Sequence, residues 1–313
     1  MNIPKSIRTL SGLVTIAGIL LILFADYTGF FEGIDNYVYD TSFRIRGALE
    51  TSEKIVIVSI DEKTLERLGR WPISRSYYAG LLRKLEEAEV VGFDLILSEP
   101  SGDDAVFAGE TRGSGNVVLP VYIDEQLQTV YPSSVFSNYR AGHVHMEPGI
   151  DNITREVFHT LYSGDDQLSS LASVIHEIST GREMKREGAR IKDRGAEIAG
   201  SILQRDPMKI NYYGPPGTFQ YLSLIDILDD MYDPGFFSGK IILIGLTAPG
   251  IVDNVLIPFS EERRGMPGVE VHANIINNLL DGTYIRDVDD QLRWLIIAIF
   301  SLVLGACFVR CSE

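Results

Sequence analysis

Residues 55–60 read Ile-Val-Ile-Val-Ser-Ile, an apolar, β-branched run without alternation. A strand of this composition is covered on both faces, which favours a parallel sheet. Beyond the Trp71-Pro72 break, Tyr77, Leu81, Leu82 and Leu85 recur at helical spacing, and Val90-Val91-Gly92-Phe93-Asp94 forms a second apolar run. Parallel neighbours need a crossover of a dozen or more residues, and the intervening helix supplies it. Ile241-Ile242-Leu243-Ile244-Gly245 reads as a further fully buried strand. The expected fold class is α/β, a mostly parallel mixed sheet with helices on both faces.

Ligands of open α/β sheets collect at the C-terminal ends of the strands. Asp61 follows the first run, Asp94 ends the second, and Thr247 and Asp253 follow the third. These four are expected to converge on one pocket as candidate ligand-binding residues. His272 is expected to border it. On the helix after Pro267 it shares a face with Val269, Ala273, Ile276 and Leu280, so it points inward, as a hydrogen-bonded core histidine or as a site residue. Core histidine is the commoner role. Asp61, Asp94 and Asp253 have the oxygen chemistry to hold a divalent cation, and equally the chemistry to cap helices and loop amides. Metal binding is open at this stage. The chain carries no nucleophile elbow, phosphate-cradling loop, His-Glu-x-x-His or Cys/His zinc spacing. No catalytic residue and no cofactor is expected.

The two ends are apolar. Residues 9–25 carry no charge and are long enough for a tilted membrane helix, and residues 294–309 form a second uncharged run between Arg293 and Arg310. Leu23 stands where a cleavable leader needs a small residue, so the first run reads as an uncleaved anchor. Lys5 and Arg8 place the N-terminus in the cytoplasm. The expected organisation is a cytoplasmic tail (1–8), a transmembrane helix (9–25), an extracytoplasmic domain (26–292), a second transmembrane helix (293–309) and a cytoplasmic end (310–313). The protein is thus expected in the cytoplasmic membrane. Between Asp26 and Leu292 there are 24 Lys and Arg against 42 Asp and Glu, a balance of −18 that argues against nucleic acid and anionic lipid head groups as partners. Cys307 and Cys311 are the only cysteines, so no disulfide framework organises the middle of the chain.

Between the ends, Tyr37, Asp40, Phe43 and Arg44 fall at helical spacing up to Gly47. Residues 100–115 are polar and glycine-rich and read as a loop. A strand over 116–123 is placed toward an edge or a bulge because of Pro120. Residues 142–146 and 155–162 suggest a hairpin, and 208–213 a short strand. Helices are expected over 168–178, over 224–228 with Ser223 as N-cap, and from Pro267 to Gly282. Residues 182–197 mix charges as a solvated helix face does.

In order along the chain stand Tyr39-Asp40 with Phe43-Arg44-Ile45-Arg46-Gly47, Ile60-Asp61-Glu62, Leu68-Gly69-Arg70-Trp71-Pro72, Phe93-Asp94 with Ser98-Glu99-Pro100, and Gly115-Asn116-Val117-Val118-Leu119-Pro120. Asn211-Tyr212 with Gly214-Pro215-Pro216, Gly239-Lys240 with the strand to Gly245 and Thr247-Ala248, and Pro267-Gly268-Val269-Glu270-Val271-His272-Ala273-Asn274 follow. This succession, about 240 residues long, resembles the second type of the CHASE group, extracellular sensory domains associated with cyclases and histidine kinases. The resemblance implies a ligand-sensing input module held by a helix at each end. It assigns no binding residue. It also implies further membrane helices and an output domain, which this sequence lacks; cyclase, kinase or diguanylate cyclase activity is expected in a missing C-terminal region or a partner, and none in this chain. Expected partners are the lipid bilayer, an unidentified extracytoplasmic ligand and a second copy of the chain. The alternatives are an extracytoplasmic metal-dependent hydrolase built on the carboxylates and a structural ectodomain.

Overall fold

The structure, a computed structural model, describes residues 5–124, 126, 128–163, 166–182, 202–251, 254–260, 264–286 and 288–311. In chain order the elements are α1 (Lys5–Tyr27), α2 (Glu32–Arg46), β1 (Ile55–Ile60), α3 (Glu62–Leu68), α4 (Arg75–Lys84), β2 (Val90–Asp94) and α5 (Asp104–Ser114). They continue with β3 (Val117–Ile123), β4 (Thr129–Val130), β5 (Arg140–His143), β6 (Glu156–Ser163), β7 (Asp166–Ser169), α6 (Leu171–Thr180) and β8 (Ile202–Lys209). Then come β9 (Gln220–Ser223), α7 (Leu224–Leu228), β10 (Ile241–Leu246), β11 (Asn254–Val255), β12 (Met266–Pro267), α8 (Gly268–Asp281) and α9 (Asp290–Cys311). Two compact units result, one of residues 1–42 with 286–313 and one of residues 43–285.

The larger unit is built on a seven-stranded sheet ordered β4-β3-β2-β10-β1-β9, with β5 also on β3. β1, β2, β9 and β10 are parallel, and only β4 runs against its neighbour. Helices cover both faces. Val56, Val58, Ile60, Ile242, Ile244 and Phe93 form one core with Tyr78 and Leu81 of α4, Phe107 of α5 and Leu224 of α7. The other face is pressed against α6 and α8, and it needs glycine where they approach: a Cβ on Gly92 would meet Ile175 Cδ1 at 2.5 Å, and one on Gly245 would meet Val269 Cβ at 2.5 Å. A separate antiparallel sheet has the order β7-β6-β8.

Three expectations need correction. Residues 104–114 are a helix, because Phe107, Ala108 and Thr111 are buried and tertiary packing outweighs the poor propensity of Gly109 and Gly113. β5 and β6 do not form a hairpin: β5 continues the main sheet parallel to β3, and β6 belongs to the second sheet. β3 itself lies toward one edge, as expected, next to β4 and β5, and its Pro120 stands past the two-residue pairing with β2 and opposite Gly142 of β5. The strand expected over 208–213 ends at Lys209. Residues 183–197 of the charged segment lie outside the described residues.

In the smaller unit α1 and α9 lie side by side. Asp26 at the end of α1 accepts from Trp294 Nε1 at 3.2 Å and pairs with Arg293 Nη2 at 3.1 Å, both near the start of α9. Among the described residues no single helix is long and apolar enough to cross a membrane, although residues 16–27 and α2 satisfy that test jointly across a 70° bend. Gly29, with φ +74°, lies in the break between them.

Candidate functional site

β2 ends in Asp94, and α8 runs back across the same sheet edge with His272 one turn inside it. His272 Nε2 lies 3.8 Å from Asp94 Oδ1, too far for a hydrogen bond. The imidazole is 2 % exposed, and among the described residues neither ring nitrogen has a hydrogen-bond partner. Burial pushes the Asp94 carboxyl up and the His272 imidazole down, and each group's charge partly restrains the other's shift. They face a cavity of about 270 Å³, whose remaining lining is Gly268 and the apolar side chains of Val144, Met146, Leu246 and Val255. A Cβ on Gly268 would stand 3.3 Å from Asp94 Oδ2, a tight contact.

Of the other sequence candidates, Asp61 and Thr247 do not line this cavity. Asp61 Oδ1 is the N-cap of α3, accepting from Thr64 N at 2.9 Å, Thr64 Oγ1 at 2.7 Å and Ser223 Oγ at 2.8 Å. A short helix needs such a cap, and Asp61-Glu62-Lys63-Thr64 supplies it. Ser223 precedes α7 but its hydroxyl serves Asp61 rather than the amides of its own helix. Thr247 Oγ1 bonds Ser59 Oγ across β1 and β10. Asp253 lies outside the described residues. Among the described residues no group of three or more His, Cys, Asp or Glu side chains is placed to hold a metal ion.

Sequence reasoning missed His143. It is 1 % exposed on β5, and burial drives it well below the usual imidazole range, against a backbone interaction with Phe158 that raises it. It lies within electrostatic reach of His145, His159 and His272.

The polar residues of α8 were missed as well. Asn274 Oδ1 accepts from Tyr213 N at 2.9 Å, and Asn278 both accepts from Asn211 N at 2.7 Å and donates to Asn211 O at 2.9 Å. These amides do for residues 211–213 what a neighbouring strand would do. Glu270, fully buried, takes Gly217 N and Thr218 N at 2.9 Å and Tyr221 Oη at 2.8 Å, and so holds the Gly-Pro-Pro-Gly turn. Burial raises its carboxyl and those donors hold it back. Asparagines at i and i+4 on a buried helical stripe were the available signal.

The domain is thus a doubly covered, mostly parallel sheet with an acid and an imidazole facing one cavity at the strand ends. The profile of the CHASE2 domain matches residues 14–306, and the chain belongs to that family of extracellular sensor domains of signal-transduction proteins. Comparison with curated proteins and with solved structures finds no match.

Proposed function

We propose that this chain is the extracytoplasmic sensor module of a membrane signalling protein, anchored by α1 and α9, that takes a small ligand into the Asp94–His272 cavity. The observation that carries the reading is a buried imidazole without a hydrogen-bond partner among the described residues, 3.8 Å from a carboxylate and set among apolar walls in a sensor-family domain. A ligand supplies the contacts that the protein leaves unmade.

The relay follows α8. Gly268 and His272 face the cavity, while Asn274 and Asn278 of the same helix hold residues 211–213. That segment in turn receives Arg46 at the end of α2, through Asn211 Oδ1 and Tyr212 O. A shift of α8 on ligand binding therefore changes the seat of the chain arriving from α1. The capping of α3 by Asp61 speaks for this reading over the hydrolase alternative.

Filling the cavity covalently tests this without knowing the ligand. In a Cys307→Ser/Cys311→Ser background carrying Met146→Cys, the full chain in lipid nanodiscs is modified with butyl methanethiosulfonate and followed by hydrogen exchange. Altered protection in α8 and at residues 211–213 supports the relay. Change confined to residues flanking position 146 refutes it.

A further inference from the structure

We infer that the cavity ligand is a primary ammonium ion on a short apolar body, its nitrogen seated between Asp94 and His272; this rests on the sensor reading above. Among the described residues Asp94 receives no hydrogen bond, and it faces an imidazole at 3.8 Å whose ring nitrogens are both unpartnered there. No Lys or Arg lines the cavity among the described residues. A carboxylate and the unprotonated nitrogen of a neutral imidazole offer acceptors, so the group missing between them is a donor, and a charged one satisfies Asp94 best.

Competing ligand classes fit less well. An anion would need His272 protonated in a site where it is 2 % exposed and would meet Asp94 at the same wall. A bare metal ion would find two protein ligands here, short of a coordination shell. A neutral molecule would leave the Asp94 charge uncompensated. The start of α8 comes against Asp94 through Gly268, and the amide dipole of that first turn favours the ionised carboxylate which an ammonium then pairs with. The domain's balance of −18 draws cations toward it. About 270 Å³, just under the ~300–1,000 Å³ of drug-sized sites, limits the body to a few carbons or a small ring, and the Val144, Leu246 and Val255 walls suit hydrocarbon.

The test measures thermal stabilisation of the full chain in nanodiscs by n-butylammonium, n-butyltrimethylammonium, butyrate and n-butanol at matched ionic strength. The expected result is stabilisation by n-butylammonium above the other three, weakened about ten- to hundredfold in apparent affinity by Asp94→Asn and more modestly by His272→Gln. Val144→Phe, which fills the cavity, abolishes it. If butyrate or butanol stabilises equally well and Val144→Phe removes that effect, the cavity binds ligands and the ammonium assignment is wrong. If no probe gives a shift sensitive to Val144→Phe, both the assignment and the binding role of this cavity fall.

Discussion

Arg46 donates through Nη1 to Asn211 Oδ1, and the same Asn211 donates through Nδ2 to Thr283 O at 2.9 Å. One amide side chain thereby ties the chain entering the larger unit from α2 to the chain leaving it after α8. Arg44 Nε on Pro258 O at 3.1 Å and Phe43 stacked edgewise on Tyr212 and Phe259 complete the attachment. Asn211→Ala is expected to destabilise the domain by about 1–2 kcal/mol, measured by chemical denaturation. It should also raise hydrogen exchange at residues 43–47 and 283–285 together; exchange raised at one of these segments alone would contradict the shared tie.

Buried imidazoles set the acid limb of stability. His272 and His143 have folded values below the ~6.5 of the unfolded chain, so below that pH the unfolded state binds protons that the folded state refuses. Stability should fall as pH drops from 7 to 5, and His143→Leu should flatten the fall. A fall unchanged in His143→Leu would show that this residue does not contribute.

Asp94 has the opposite sign. Its folded value is raised, so it favours folding at low pH, and that contribution is lost as pH rises through the folded value. Asp94→Asn should therefore melt at the same or a higher temperature than wild type at pH 7.5, with the difference shrinking toward pH 4. A large loss at pH 7.5 would mean that the carboxylate holds the fold rather than waits for a ligand.

Gly245 and Val269 test the close approach of α8 to the sheet. Gly245→Ala is expected to cost about 1–3 kcal/mol, since its new methyl would collide with a β-branched side chain on a helix. The double variant with Val269→Ala should lose less than the two single losses added together. Strict additivity in denaturant titrations would place the two groups out of contact.

What could be read from residues alone followed burial pattern. β1, β2 and β10 were legible because strands covered on both faces need continuous apolar side chains, and Ile55–Ile60 and Ile241–Leu246 have them. α5 was not, because its helicity comes from Phe107 meeting Tyr78, Phe93 and Phe136, a contact set that no local pattern encodes. At the site, the inward face of His272 followed from helical period and the position of Asp94 from the strand end. Their juxtaposition required the crossing of α8 over β2 and β10. Asp61 took the capping role that the sequence also offered, since strand ends supply caps as readily as ligands, and Thr64 three residues on marked the cap.

The orientation of the domain is the claim on which the sensor account stands, and alkaline phosphatase fusions measure it. With α1 and α9 as membrane anchors, a fusion after Gly142 should be active and one at Ser312 inactive. Activity at Ser312 with none at Gly142 would put the Asp94–His272 cavity in the cytoplasm and contradict the account.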